Sequence, residues 1–286
     1  MSLAGAAVAQ TPAAVISDPP RDAAHPAAME YVRIPSHGAL LNGVLYRPSG
    51  AGPHPTLLLL HGFPGNEQNL DLAQAVRRAG FNVLTLHYRG SWGSPGSFSF
   101  THAREDADAA VSFLRTPAIQ AKFGVDPTRV FVAGHSMGGF MAASAVAHDP
   151  RVAGLIMISA WNIAGEVRGG AAVAKARAHA SDSDFADNVI PLGGATVDGL
   201  IDEIAAAPKG WDFPAFAPRI APRPVLLVTA EDGSQPASHA LAEALSKAGD
   251  REVREVHMVT DHPFSDHRIA LESAVVDWLT RYSAAH

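Results

Sequence analysis

The sequence predicts an α/β protein with a mainly parallel central sheet that is covered by helices on both faces. From Glu30 onward, apolar segments of strand length alternate with segments whose apolar residues recur at helical spacing. A second observation is the pentapeptide Gly-His-Ser-Met-Gly at 134–138, which separates a strand-like segment from a helix-like one. The chain has 286 residues, of which 47% are hydrophobic and 17% charged, so it can bury a sizeable core.

The alternation begins with an antiparallel hairpin, because two β-type segments flank the turn residues Ser36-His-Gly38. The continuously apolar segment 56–60 is typical of a strand buried on both faces. The helix that follows it is expected to end at Gly80, a residue type that terminates helices. The predicted strands are 31–34, 40–46, 56–60, 82–86, 129–133, 152–159, 224–229 and 252–258, and the predicted helices are 69–79, 103–115, 137–148, 236–248 and 267–282.

Composition narrows the possible functions. The chain has no cysteine, which excludes disulfides, thiol catalysis and cysteine-based zinc sites. A net charge of −6 without any Lys/Arg cluster speaks against nucleic acid or an anionic membrane surface as a partner. No apolar stretch approaches the about 20 residues of a transmembrane helix. The composition itself indicates neither a particular partner nor an oligomeric state.

The first 28 residues are rich in Ala and Pro without periodicity and are expected to be disordered. Within them, Ala7-Val8-Ala9 matches an A-x-A cleavage site, although no basic segment precedes it and the apolar stretch is short. One interpretation is the remnant of a secretory signal, which would make the protein periplasmic or secreted. The other is a flexible tail on a cytoplasmic protein. The folded domain is expected to span residues 29–286.

The pentapeptide at 134–138 has the pattern and the surroundings of a nucleophile elbow. A β-type segment precedes it and a helix-favouring segment follows, so Ser136 would occupy the apex of a sharp strand-to-helix turn. A serine hydroxyl is a weak nucleophile and must be exposed and offered to a base. Gly134 and Gly138 flank the turn, where side chains would block the approach of strand and helix. Ser136 is therefore the candidate nucleophile, and a structural serine capping the helix is the alternative.

Two further candidates, Asp232 and His262, each follow a later predicted strand, at the sheet edge where parallel α/β proteins bind ligands. Ser, Asp and His in this chain order are typical of α/β-hydrolases. The chain from Glu30 to Tyr282 resembles that superfamily, most closely its esterase, dienelactone-hydrolase and acylaminoacyl-peptidase-like branch. The segments that carry the resemblance are HGFPG (61–65), YRGSWG (88–93), GHSMG (134–138), EDGSQP (231–236) and TDHPF (260–264).

The resemblance implies the α/β-hydrolase fold and a cofactor-independent serine hydrolase. A carboxylesterase acting on small or medium esters through an acyl-enzyme is the first expectation. The alternatives are an aminopeptidase or acylaminoacyl-peptidase-like enzyme, a dienelactone-type hydrolase, and a catalytically silent binding protein with the same fold. The irregular segment at about 162–220 contains two helix-capable, Ala-rich stretches, 164–180 and 196–207. It resembles a helical cap over the active site, and a pair of peripheral helices is the other interpretation.

The resemblance also implies a role for each site residue. His262 would act as base and then as acid, and Asp232 would orient its imidazole. The backbone N–H groups of Phe63 and Met137 would form the oxyanion hole. For specificity, the sequence offers five aromatic residues near these loops, which are either pocket lining or ordinary packing: Phe63, Trp92, Phe98, Phe100 and Trp161.

Neighbouring residues compete for two of these roles. Glu231 competes with Asp232 for the place of the acid, and His257 and His267 compete with His262 for that of the base. The acidic and histidine residues at 261, 262, 266 and 267 could also be drawn as a metal site. They lack the H-E-x-x-H spacing and lie beside a proline, so no metal is expected.

Overall fold

An eight-stranded sheet forms the centre of the protein, with strand order β1-β2-β4-β3-β5-β6-β7-β8. The computed structural model describes residues 10–165, 173–176, 178 and 185–284. Strand β2 pairs antiparallel with β1 and β4, and the strands from β4 to β8 pair in parallel. The mostly parallel sheet predicted from the sequence is confirmed. The strands are β1 (Ala28–Ser36), β2 (Ala39–Arg47), β3 (His54–Leu60), β4 (Asn82–Leu86), β5 (Val125–His135), β6 (Gly154–Ile158), β7 (Val225–Thr229) and β8 (Val253–His257).

Helices cover both faces of the sheet. Alternate side chains of β3 enter opposite cores, because successive residues of a strand point to opposite faces. Leu58 and Leu60 belong to the larger core, whereas Leu57 and Leu59 belong to the core beneath α2 and α10. The helices are α1 (Ala13–Ile16), α2 (Leu70–Arg78), α3 (Phe100–Leu114), α4 (Pro117–Phe123), α5 (Met137–His148), α6 (Phe185–Val189), α7 (Val197–Ala206), α8 (Phe213–Ile220), α9 (Gln235–Lys247) and α10 (Arg268–Ser283). None of these helices combines the length and the apolar content that a membrane crossing requires.

Helix α5, which begins directly after Ser136, lies in the middle of the larger core. Its residues from Met137 to Ala147 are all buried, as expected for a helix that is apolar around its whole circumference. Phe140 contacts two aromatic rings of α8, those of Phe213 and Phe216, at centroid distances of 6.0 and 5.4 Å. The turn that precedes α5 is thus built on a rigid part of the fold.

The N-terminal segment differs from the expectation of disorder between residues 10 and 27. Residues 13–16 form the short helix α1, in which Val15 is buried in the core beneath α2 and α10. Arg78 of α2 donates hydrogen bonds to the carbonyl oxygens of Ala14 and Val15. The sequence carries no periodic signal for so short a helix. The A-x-A motif at residues 7–9 lies outside the described residues.

The segment 162–220 contains three of the described helices. The helix expected at 196–207 corresponds to α7, and most of the one expected at 164–180 lies outside the described residues. Glu203 of α7 accepts hydrogen bonds from the backbone N–H groups of Phe100 and Thr101, at the start of α3. Helix α8 packs on α5 through Phe213 and Phe216. Helix α6 places Phe185 against Phe63, in the loop after β3.

Candidate active site

Ser136 occupies a strained turn between β5 and α5. Its backbone angles are φ 55° and ψ −123°, a region that residues with a side chain seldom adopt. The neighbouring strand holds the turn in place: the N–H of Ser136 donates to the carbonyl of Ile158 at 2.9 Å. The carbonyl of Ser136 accepts hydrogen bonds from the N–H groups of Gly139, at 3.0 Å, and Trp161, at 2.9 Å. The strain is therefore balanced by backbone contacts with β6 and the residues after it.

Glycine is required at three positions around this turn. A Cβ atom on Gly134 would lie 1.9 Å from the carbonyl oxygen of Gly138, and one on Gly138 would lie 2.2 Å from that of Leu60. A Cβ atom on Gly139 would lie 2.4 Å from the Cβ of Ala160. These obstacles belong to backbone or to a short side chain, which cannot give way. The strand, the turn and the helix thus approach as closely as the motif implies, and Gly139 extends the requirement beyond the motif.

His262 and Asp232 form the shortest of the histidine–carboxylate contacts described here, with 2.6 Å between Nδ1 and Oδ2. The Asp232 side chain is only 9% exposed, whereas that of His262 is 44% exposed. Burial raises the pKa of Asp232, but hydrogen bonds from His262 and Ser234 outweigh it, so the pKa of this carboxyl lies well below its usual value. With Nδ1–H donating to an ionised carboxylate, the Nε2 of His262 is left as the atom that can take up a proton.

The loop that carries His262 lies against the turn at Ser136. His135, the last residue of β5, donates from Nε2–H to the backbone carbonyl of His262 at 3.0 Å. The two imidazole rings are 4.6 Å apart between centroids. Two further contacts fix this loop: Phe264 is fully buried, and Arg268 donates to the carbonyl of Pro263 at 2.8 Å. The structure therefore brings the predicted acid and base to the edge of the sheet where the predicted nucleophile lies.

The loop after β3 approaches Ser136 from another side. A Cβ atom on Gly62 would lie 2.9 Å from the Cβ of Ser136, so the loop backbone is in contact with the turn. Phe63 is the next residue of this loop. Met137 is the first residue of α5, where backbone N–H groups have no acceptor within the helix. The two residues predicted to supply the oxyanion hole are thus adjacent to the contact between this loop and Ser136.

Three side chains, of which His61 and Tyr88 are buried, hold the loop after β3 in position. Burial lowers the pKa of His61 to about 4, so its ring is neutral, and its Nδ1 lies 2.7 Å from the carbonyl oxygen of Gly62. Tyr88 donates from its hydroxyl to the carbonyl of His61 at 3.2 Å, and Trp92 donates from Nε1 to the carbonyl of Pro64 at 2.8 Å. Tyr88 and Trp92 belong to the predicted YRGSWG motif, so this motif supports the loop.

The competing residues form separate pairs. His257 lies 3.0 Å from Glu231, between Nε2 and Oε1, and its Nδ1 lies 3.0 Å from the hydroxyl of Thr229. His267 precedes α10 and contacts the adjacent Asp266 at 2.8 Å. Within the described part of the chain, no group of three or more His, Asp or Glu side chains is arranged to hold a metal ion.

The five aromatic residues separate into two groups. Phe98 and Phe100 are buried and belong to the core, whereas Phe63, Trp92 and Trp161 are partly exposed. The Phe63 ring stacks on Phe185 of α6 at 5.0 Å, a contact that no sequence signal indicated because Phe185 stands alone in a polar segment. The N–H of Trp161 bonds to the carbonyl of Ser136. Trp161 is therefore bonded directly to the candidate nucleophile through its backbone, and Phe63 is next in the chain to Gly62, whose backbone contacts Ser136.

Comparison with known families identifies the fold family. A family model described as the alpha/beta hydrolase family matches residues 57–274, which include all five motifs. The chain belongs to this family. The mostly parallel eight-stranded sheet agrees with the fold that the resemblance implied. Ser136 follows β5, Asp232 follows β7 and His262 follows β8.

Curated relatives match only part of the chain. One match is the sn-1-specific diacylglycerol lipase ABHD11 of Xenopus tropicalis, with 33% identity over 105 residues. The aligned region covers 36% of this chain and 30% of that protein. Another is the carboxylic ester hydrolase LipN of Mycobacterium tuberculosis, with 37% identity over 103 residues. The aligned region covers 34% of this chain and 26% of that protein. The matches therefore span about a third or less of the length of these relatives.

Solved structures match nearly the whole chain at low sequence identity. Est1E of Butyrivibrio proteoclasticus, solved with ferulic acid bound, has a TM-score of 0.67 at 20% identity and covers 89% of this chain and 99% of that chain. The acylaminoacyl peptidase of Pyrococcus horikoshii has a TM-score of 0.64 at 17% identity and covers 89% of this chain and 41% of that chain. Likeness at these identities establishes the fold alone.

Proposed function

We propose that this protein is a serine hydrolase that cleaves small or medium carboxylic esters through an acyl-enzyme, without a cofactor. The observation that carries the proposal is the 2.6 Å contact between His262 and Asp232, whose side chain is 9% exposed; His262 lies in a loop that is bonded to the residue before Ser136. A strained serine, a base with a free Nε2 and an ionised carboxylate together form the working parts of a catalytic triad.

In the proposed reaction, Ser136 Oγ attacks the ester carbonyl carbon while His262 Nε2 takes up the hydroxyl proton. The tetrahedral intermediate collapses and the bond to the alcohol oxygen breaks, and His262 returns the proton to that oxygen. A water molecule then attacks the acyl-enzyme in the same way, with His262 again acting first as base and then as acid. The products are the carboxylic acid and the alcohol, and Ser136 recovers its proton.

Electrostatics favour both steps of this cycle. The low pKa of Asp232 keeps its carboxylate charged, so it stabilises the imidazolium that His262 becomes when it takes the proton. The N–H groups of Phe63 and Met137 are assigned to the oxygen of the tetrahedral intermediate. Each such donor contributes about 2.7–4 kcal/mol to the transition state in comparable enzymes.

The names of the relatives support esters as substrates. LipN is named a carboxylic ester hydrolase and ABHD11 a diacylglycerol lipase. One structural neighbour is an acylaminoacyl peptidase, which keeps amide cleavage as the second candidate, although the match covers 41% of that protein. An amide expels its leaving group less readily than an ester does, so esters remain the first choice.

The test is Ser136→Ala, with Ser144→Ala as the matched control in the same helix-and-turn unit. Ser136→Ala should abolish hydrolysis of p-nitrophenyl butyrate and labelling by a fluorophosphonate probe while the protein stays folded by circular dichroism. Ser144, which is buried in α5 and accepts a hydrogen bond from Arg104, should be dispensable for turnover. Unchanged turnover in Ser136→Ala would exclude the assignment, an unlabelled wild type would indicate a silent binding protein, and faster hydrolysis of aminoacyl-p-nitroanilides would favour the peptidase.

A further inference from the structure

We propose that His135 is a positioning residue, which holds the backbone of His262 in place beside the turn that carries Ser136. The inference rests on the proposed function, because it assigns His135 a task within the same triad. His135 is the second residue of the pentapeptide 134–138, a position that the motif itself leaves free. Its side chain, however, contacts the candidate base directly.

The contact joins the turn that carries Ser136 to the loop that carries His262. His135 is 3% exposed and ends β5, one residue before Ser136. Its Nε2 lies 3.0 Å from the backbone carbonyl oxygen of His262, and its ring faces the His262 ring at 4.6 Å with a tilt of 40°. Because the acceptor is the main chain of His262, the hydrogen bond fixes the backbone from which the catalytic ring projects.

His135 can keep this bond throughout the working pH range. Burial, with a smaller contribution from His262, lowers the pKa of His135 to about 4, so the ring stays neutral and Nε2 keeps its proton as a donor. The charged groups that act on it are His262, Arg268 and Asp232. A neutral ring adds no second positive charge when His262 becomes an imidazolium. The other ring nitrogen, Nδ1, is buried without a partner among the described residues, so a single bond gives this side chain its orientation.

Three residues hold His262 and its loop in place, each through a different contact. Asp232 fixes the ring through Nδ1, and Arg268 fixes the next residue of the loop through the carbonyl of Pro263. His135 fixes His262 itself relative to Ser136. Without His135, the pair of His262 and Asp232 would persist, but its distance to the serine would be free to vary. The loss should therefore appear in the chemical step and not in substrate binding.

The experiment compares His135→Leu with His135→Gln. In His135→Leu, kcat for p-nitrophenyl acetate should fall by about tenfold to a hundredfold, since a displacement on the order of 1 Å costs that much. KM should change by less than about twofold. Gln carries an N–H donor near the place of Nε2, so His135→Gln should recover kcat to within about threefold of the wild type.

His54 provides the matched control. It is also buried, burial lowers its pKa, and its Nε2 lies 3.1 Å from a backbone carbonyl oxygen, that of Gly50. It stands at the start of β3, at the opposite end of the sheet from the site. His54→Leu, like His135→Leu, should lower the midpoint of thermal unfolding, but it should leave kcat unchanged.

Two outcomes would overturn the inference: an unchanged kcat in His135→Leu, or a kcat in His135→Gln as low as in His135→Leu, which would reduce His135 to a packing residue. If His135→Leu does not fold, the kcat of His135→Gln alone decides, because loss of more than about tenfold there contradicts a role of the donor. Ser136→Ala distinguishes this failure from failure of the proposed function, because it tests the triad without altering His135.

Discussion

Two acid–histidine pairs stand side by side at the ends of β7 and β8, and they differ in almost every respect. Glu231 contacts His257 at 3.0 Å, and the Glu231 side chain is 61% exposed. Asp232, one residue later, contacts His262 at 2.6 Å and is 9% exposed. The difference lies in the carboxylates: water screens an exposed carboxylate such as that of Glu231, whereas a shielded one such as that of Asp232 interacts more strongly with its partner.

Chain geometry explains why adjacent acids have such different surroundings. His257 ends β8, the edge strand of the sheet, where its side chain remains near solvent. His262 lies five residues further, in a loop that returns over the sheet edge. A backbone bond from the N–H of Glu231 to the carbonyl of Thr260 ties the acid turn to this loop at 3.0 Å, so the carboxylate of Asp232 meets the loop. The direction of each side chain therefore determines which of the two adjacent acids contacts His262.

The two pairs should differ most in the loss of kcat that follows when their histidines are replaced. His262→Ala should lower kcat for p-nitrophenyl butyrate by at least about a thousandfold, because members of a triad act as a unit. His257→Ala should retain most of the activity, and so should His267→Ala, which removes a histidine paired with Asp266. If His267→Ala or His257→Ala were inactive while His262→Ala remained active, the role of the base would pass to that other histidine. The assignment of Ser136 as the nucleophile would not change.

Replacing the acids of the two pairs should produce a smaller difference in kcat. Asp232→Asn keeps the size of the side chain but removes the charge that stabilises the imidazolium, so kcat should fall by about 10⁴-fold, less than the roughly 10⁶-fold that loss of the base can cost. Glu231→Gln is the matched control one residue away and should stay within about threefold of the wild type. Steady-state kinetics on one ester measure both, and equal losses in the two variants would remove the distinction between the pairs.

The smallest expected effect is on stability at acid pH. The pKa of Asp232 is lower in the folded protein than in the unfolded chain, so its contribution to stability is present above about pH 4 and is lost as the pH falls further. Asp232→Asn lacks this contribution. Between pH 6 and pH 3 its free energy of unfolding should therefore decrease less than that of the wild type, by about 1–2 kcal/mol. Urea unfolding at the two pH values measures the difference, and identical decreases would contradict it.

The sequence predicts the central sheet well, because strands such as β3 and β4 are short, apolar and separated by amphipathic helices. It fails where proline interrupts the pattern. Pro214 and Pro218 lie within α8 and conceal it, and Pro127 lies near the start of β5, which was expected to begin only at residue 129. Helix α4 has seven residues and follows α3 so closely that no separate period is visible.

The candidate site is predictable where each residue stands in a local motif. Ser136, Asp232 and His262 each follow a strand, so their common edge of the sheet can be inferred without coordinates. Contacts between distant segments leave no such signal. The bond from His135 to His262 joins residues 127 positions apart, and the stack of Phe63 on Phe185 depends on how α6 folds back over the domain.

Arg268, which anchors the loop of His262, is synthesised long after Ser136, so the site can be completed only late in translation. Its guanidinium bonds to the carbonyl of Pro263 and to the side chain of Asn69, 199 residues earlier. A ribosome completes β5 and α5 on the order of ten seconds before it adds His262 and Arg268. During that interval the nascent chain has its serine but neither the base nor the arginine that anchors the base. On the proposed assignment, hydrolysis therefore begins only when synthesis has reached the last helix.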